Sequence, residues 1–271
     1  MIAAVDSARI AYDDIGHGEP VVFLHAFPLN RTMWAPQTSA LAAEWRCLTI
    51  DTRGFGESPS SAPFTMDRYA DDIVAILDHA GIDRATVVGL SMGGYVAFAL
   101  WRRAPQRVRA LVLADTRAGA DSPETIERRR ALIAVARSEG VLAVADRQLV
   151  GLLGKTTRER RPEVEATARA IAESAAVDGI VGALEAMIAR PDSTATLGTI
   201  SVPTLFIAGE EDVITPPKDA RAMNDAVLGS RLEILARAGH LSNLEAPAAF
   251  TAVLSEFLRD STLRLHGIVL H

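Results

Sequence analysis

The chain has 271 residues, 49% hydrophobic and 23% charged, with a formal net charge of −6 and one cysteine. That is apolar material for one large α/β domain or two small ones, and the acidic balance argues against a nucleic-acid partner. A single cysteine excludes an intramolecular disulfide, and no run reaches the roughly 18 apolar residues of a membrane helix.

The opening stretch MIAAVDSARIAYDDIG lacks a basic region followed by a long apolar core. It does not read as a signal peptide, so a cytoplasmic location is expected. Strands are then expected at VVFLHA (21–26), CLTIDT (47–52), TVVGL (86–90), ALVLAD (110–115), TLFIAG (204–209) and LEILAR (232–237). Their hydrophobicity is nearly continuous, which suits strands of a parallel sheet covered on both faces. Cys47, inside RCLTI, reads as a buried structural thiol. Helical patterns lie between the strands. In MDRYADDIVAILDHAG, the residues Tyr69, Ile73, Ile76, Leu77 and Ala80 share one face, with Thr65 as N-cap and Gly81 just past the end. Alternating βα units of this kind predict a doubly wound α/β sheet.

The alternation breaks between residues 118 and 198, where every pattern is helical. This predicts a core of residues 1–117 and 199–271 and an all-helical cap over 118–198. Arginines cluster at Arg128, Arg129, Arg130 and at Arg158, Arg160, Arg161, interleaved with Glu124, Glu127, Glu159 and Glu163. They read as solvated helix faces. The tail STLRLHGIVLH (261–271) receives no assignment.

The stretch VVGLSMGGYVAFAL (87–100) places Ser91 between a strand and a helix, in the pattern G-x-S-x-G. Such a serine sits on a sharp, strained turn, and residues two before and two after it must be small. Gly89 and Gly93 satisfy this. The hydroxyl then projects from the sheet's C-terminal edge beside a helix N-terminus that favours developing negative charge. Ser91 is therefore a candidate nucleophile, and a serine hydroxyl needs a base.

Of six histidines, His240 in ARAGHLSNLEAP stands on a loop after a predicted strand, where it can reach Ser91. His79 falls within a helix, His17 in an early turn, and His266 and His271 in the tail. The base needs a carboxylate to fix its tautomer. TLFIAGEEDVITPP offers Glu210, Glu211 and Asp212, of which Asp212 is preferred because the chain turns there before the prolines start a helix. Asp115, at the end of ALVLAD, competes, with a turn-forming role as its plainer explanation. No His/Cys/Asp cluster has metal-ligand spacing and no glycine-rich loop reads as a nucleotide site, so neither metal nor cofactor is expected.

With Ser91, Asp212 and His240 in that order, the chain resembles the α/β-hydrolases. LHAFPLN resembles their H-G-x-P oxyanion loop, DTRGFGES (51–58) the loop after the next strand, and GEEDVITP and GHLSNLEAP the acid and histidine loops. The resemblance implies an α/β-hydrolase fold, with a mostly parallel sheet and the cap inserted after the sixth strand. It also implies an oxyanion hole from the amides of Met92 and Phe27, with His25 orienting the loop. Asp51 and Arg53 look like loop stiffeners. One departure is Ala26, where the family has glycine, so the Phe27 amide must point inward at negative φ.

The implied reaction is hydrolysis of carboxylic esters of short to medium chain through an acyl-enzyme. GLSMGG, DTRGFGES and GHLSN are most similar to small bacterial carboxylesterases, 3-oxoadipate enol-lactone hydrolases and cofactor-free haloperoxidases with perhydrolase activity. Lactone hydrolysis and perhydrolysis are thus the alternatives. An enol-lactone carries a carboxylate and would call for a cationic cap residue in the pocket. Dehalogenases of this fold carry aspartate where Ser91 stands. A lyase or ligand-binding role is the remaining class. The expected partner is a small ester or lactone, with no membrane.

Overall fold

The computed structural model describes residues 1–5, 8–59 and 64–265. Eight strands form one sheet: β1 (Ile2–Val5), β2 (Ala8–Ile15), β3 (Glu19–Leu24), β4 (Trp45–Ile50), β5 (Ala85–Leu90), β6 (Val108–Ala114), β7 (Thr204–Gly209) and β8 (Arg231–Leu235). Their order is β1-β2-β4-β3-β5-β6-β7-β8. Pairing is parallel from β4 to β8, while β2 runs antiparallel to both β1 and β4. The six expected strands correspond to β3–β8. The first two were not anticipated, because the burial of β1 alternates and β2 carries Arg9, Asp13 and Asp14. Antiparallel strands of this kind, at and next to the sheet's edge, lack the continuous apolar run of a parallel core.

Helices α1 (Ala35–Leu41), α2 (Met66–His79) and α3 (Met92–Arg103) follow β3, β4 and β5. Between β6 and β7 lie α4 (Pro123–Glu139), α5 (Val141–Leu152), α6 (Lys155–Arg160), α7 (Pro162–Glu173), α8 (Val177–Ala189) and α9 (Thr194–Leu197), with no strand among the described residues. The chain closes with α10 (Pro217–Ala226), α11 (Ser242–Glu245) and α12 (Pro247–Leu265). Helix α12 therefore runs five residues into the segment left unassigned, while His266, His271 and the rest of that tail lie outside the described residues.

Alternation along each buried strand makes two cores. Val22, Leu24, Val87 and Leu113 face Ile73 of α2 and Val96 of α3. Val21, Phe23, Val88 and Ile207 face Trp34 and, on α12, Phe250 and Leu254. Helix α2 starts where Thr65 Oγ1 accepts from the Arg68 amide at 3.0 Å. It ends at Gly81, whose φ of +66° closes the last turn as few side-chain-bearing residues could. Cys47 is buried, and burial together with Asp14 pushes its thiol up to about 12, which keeps it protonated and inert.

The register aligns the C-terminal ends of the central strands: Leu24 pairs with Gly89, Leu90 with Ala114, Ala114 with Ile207 and Gly209 with Leu235. The loops that follow β3, β5, β6, β7 and β8 therefore meet along one edge. That edge is where open α/β sheets place their ligands.

Candidate active site

Ser91 stands between β5 and α3 at φ 54° and ψ −111°, a strained position for a residue with a side chain. The surroundings leave it no alternative. A Cβ on Gly89 would lie 2.4 Å from the Gly93 carbonyl oxygen, and one on Gly93 only 2.2 Å from that of Leu24. Strand and helix thus approach more closely than any side chain at 89 or 93 allows. The Ser91 amide donates to Ala114 O (2.9 Å), and its carbonyl accepts from the Gly94 amide and from Thr116 Oγ1 (both 2.9 Å). Bonds to β6 and its following loop hold the turn in place.

His240 follows β8 and is buried with its ring between Ser91 and Asp212. Its Nε2 lies 2.8 Å from Ser91 Oγ and its Nδ1 2.8 Å from Asp212 Oδ2. Asp212 Oδ1 accepts from the amides of Ile214 (2.8 Å) and Thr215 (3.0 Å), and Thr215 Oγ1 donates to Oδ2 at 2.7 Å. Burial works to raise this carboxyl, but His240 and the Thr215 donors outweigh it and hold it below the usual aspartate range. An ionised Asp212 only accepts, so Nδ1 carries the ring proton and Nε2 is free to accept from the serine hydroxyl. Thr215, which also lies 3.2 Å from His240 Nδ1, was not singled out from the sequence. Its signal was a threonine three residues after an aspartate, the spacing of a local side-chain turn.

The other carboxylates near this edge have different work. Glu210 accepts from the Arg237 amide (3.1 Å), and Glu211 from the amide and hydroxyl of Thr156 at the α5–α6 corner. Asp115, at φ 44°, accepts from the Gly209 amide (2.8 Å) and from Ser242 Oγ. It ties the loops after β6, β7 and β8 together, while the carboxylate that hydrogen-bonds His240 is Asp212. Burial, then repulsion from Asp212, raises its carboxyl well above the ordinary range. Buried Glu245 accepts from the amides of Gly154 (2.8 Å) and Leu241 (3.1 Å).

On the β3 side, His25 is fully buried, bridging Ala26 O (Nδ1, 2.9 Å) and the Thr52 amide (Nε2, 3.1 Å). Burial lowers its pKa, so it stays neutral. Ala26 donates to Met33 Sδ at 3.2 Å, and neither Ala26 nor Phe27 is among the non-glycine residues with positive φ. The loop therefore accommodates alanine without strain. Met92 opens α3, where a helix's first amides have no intrahelical acceptor. Asp51 holds the amides of Arg31 and Glu57 (both 2.8 Å), and Arg53 forks onto Asp72, so both brace the loop after β4.

The helices between β6 and β7 straddle this edge. Gly179 of α8 packs on Gly54, Ser174 accepts from Asn30 Nδ2 (3.0 Å), and the Leu241 amide donates to Leu152 O (3.1 Å). A cleft of about 390 Å³ opens between them and the core, walled by Tyr95 and Ile214 on one side and by Leu132 and Leu184 on the other. Arg128 and Arg129 also line it; Arg128 is exposed, as expected of a solvated face, whereas Arg129 departs from that reading. Arg129 turns inward to Asp121, because α4 packs its Leu132 face on the core; Arg130 stays outside, paired with Glu127.

The family model described as alpha/beta hydrolase fold matches residues 19–247. The chain is 30% identical over 241 residues to 3-oxoadipate enol-lactonase 2 of Acinetobacter baylyi, covering 88% of each. Among solved structures, a thermophilic esterase of Thermogutta terrifontis with malate bound superposes with a TM-score of 0.92 at 38% identity, covering 96% of this chain and 97% of that one. The enol-lactonase of Burkholderia xenovorans superposes at 0.89 with 33% identity, covering 96% and 100%. With the eight-stranded sheet and serine turn above, these matches establish that the chain belongs to the alpha/beta hydrolase fold family.

Proposed function

We propose that the protein hydrolyses small carboxylic esters and lactones of short to medium chain, with Ser91 as nucleophile, His240 as general base and acid, and Asp212 as its orienting carboxylate. The observation that carries this is the unbroken chain of two 2.8 Å contacts from Ser91 through His240 to Asp212. Similarity to an esterase and to enol-lactonases supports the choice of ester and lactone over other substrates of the fold.

Ser91 Oγ bonds to the carbonyl carbon while its proton passes to His240 Nε2. The carbonyl oxygen, now an oxyanion, takes hydrogen bonds from the amides of Phe27 and Met92, each worth about 3 kcal/mol in the barrier. As the C–O bond to the leaving alkoxide breaks, His240 returns the proton to it. Water then loses a proton to His240 and attacks the acyl-enzyme, releasing the acid and restoring the serine. Residues 118–198 serve as the cap, which excludes bulk water and shapes the acyl site. The amide of Phe27, in the loop after β3, supplies the second donor.

The test is turnover of p-nitrophenyl esters from acetate to palmitate and of simple lactones by the wild type and Ser91→Ala. Short and medium esters should be cleaved, with a loss of at least about 10³-fold in the variant. A wild type inert toward every ester and lactone would sink the proposal.

A further inference from the structure

Two peptide planes meet at Ala26, and each is held by different residues. The Ala26 carbonyl accepts from the Leu29 amide and from His25 Nδ1, both at 2.9 Å. His25 Nε2 accepts from the Thr52 amide, so Nδ1 carries the proton of the neutral ring. A trans peptide points its carbonyl and the following N–H in opposite directions. Pinning Ala26 O within the loop therefore turns the Phe27 amide away from it. That amide has no acceptor among the described residues, although Phe27 is buried. The other plane carries the Ala26 amide, whose acceptor is Met33 Sδ at 3.2 Å. A thioether is a weak acceptor, but Ala26 is fully buried, and a buried amide with no acceptor at all is costly. Alanine confines φ and ψ between the two planes more tightly than glycine does, so holding one plane constrains the other.

Met33 is itself fixed from three directions. It lies in the 3₁₀ turn Arg31–Trp34, where Asn30 Oδ1 accepts from the Thr32 amide at 3.0 Å. Trp34, fully buried, packs against Phe23 of β3 and Phe250 of α12. The Met33 carbonyl accepts from Nδ2 of buried Asn243 at 2.9 Å, and Asn243 stands three residues after His240. One residue thus meets the loop after β3 through its sulfur and the histidine loop through its backbone.

We infer that Met33 is a positioning residue for the oxyanion donor: its thioether holds the Ala26 amide and so aims the Phe27 amide at the carbonyl oxygen, while its bond to Asn243 keeps that donor in register with His240. The inference rests on the hydrolase reading, and no bond to sulfur forms or breaks in it.

Met33→Leu conserves volume and the backbone carbonyl but removes the acceptor. Acylation and deacylation pass through an oxyanion in the same place, so both should slow together. On p-nitrophenyl butyrate, kcat should fall about tenfold with KM within about twofold, short of the roughly 10²–10³ of losing a donor outright. Inhibition by an alkyl trifluoromethyl ketone, whose hemiketal with Ser91 carries an oxyanion, should weaken by the same factor. Met223→Leu, which alters a buried methionine of α10, should leave both readings unchanged. Norleucine in place of all six methionines exchanges each sulfur for a methylene of the same reach. It should reproduce the loss in the wild-type sequence and add none in Met33→Leu. Should Met33→Leu fail to fold, the kcat and inhibition of the norleucine protein decide the matter. An undiminished kcat in Met33→Leu, a loss confined to KM, or a norleucine effect as large in Met33→Leu as in the wild type overturns the inference and leaves the hydrolase standing. A wild type inert toward every ester and lactone removes the hydrolase reading, and this inference with it.

Discussion

Asp115 is a carboxyl buried beside a second carboxyl, and its neighbours oppose its ionisation more than Ser242 and Gly209 relieve it. Its folded pKa lies above the unfolded value of about 3.9, so the folded state holds this proton to higher pH. The stability it contributes is complete below about pH 4 and is lost as pH rises through the folded titration. Asp115→Asn can still accept from the Gly209 amide, can donate its Nδ2 to Ser242 Oγ in place of accepting, and has no charge to suppress. Urea midpoints across about pH 4.5 to 8 should therefore show the wild type falling relative to the variant as pH rises; a constant difference would refute this. Gly93→Ala sets a methyl 2.2 Å from Leu24 O, an overpacking that costs typically 1–3 kcal/mol and displaces Ser91. Thermal melts and esterase assays should both show a loss. At this scale the sequence was legible where chemistry constrains residue type and neighbour together. Ser91 between Gly89 and Gly93 is such a place. Thr215 was not, because a threonine after a turn has many uses and only the folded loop brings it to Asp212 and His240.

The strands and long helices were legible for the reason that fixes them. Strands β3–β7 are largely covered on both faces, β8 at the edge is half-buried, and α2 buries one stripe under a good cap. The short α6, α9 and α11 have too few residues for a period and are set by tertiary bonds. The α5–α6 corner shows how: Glu245 grips Gly154 and Leu241, while Glu211 grips Thr156. One carboxylate thus joins the helical segment to the histidine loop, and the other joins it to the acid loop. Glu245→Ala strands two buried amides at about 1–3 kcal/mol each. It should also lower kcat more than it raises KM, because His240 loses its support rather than the substrate its contacts. A variant with a lower melting temperature and unchanged kcat would show the corner to be structural alone.

Across the whole molecule, the segment from 118 to 198 leaves after β6 and returns to β7, strands that are neighbours in the sheet. Its two ends are fastened to each other. Ser193 donates its amide to Ala118 O (2.8 Å), Arg190 donates to Gly119 O (2.8 Å), the Ala120 amide donates to Asp192 (3.2 Å), and Asp121 pairs with buried Arg190. Arg190 also lies over the Tyr95 ring at 4.0 Å. Asp121→Ala would leave a buried guanidinium without its partner. The expected cost is about 3–5 kcal/mol, against at most about 1 for exposed Glu127→Ala, and chemical denaturation measures both. The run of helices between β6 and β7 was visible in the sequence as a break in βα alternation, whereas this neck was not, because its bonds join residues some seventy positions apart. The neck makes the segment a removable part. A different helical segment could be spliced in between residues 122 and 189, inside the neck, without disturbing the sheet order or the serine turn, provided its corner offered amides to Glu211 and Glu245. If this segment is the proposed cap, substrate range and bond-breaking chemistry are inherited separately, with the same engine recombined under many covers.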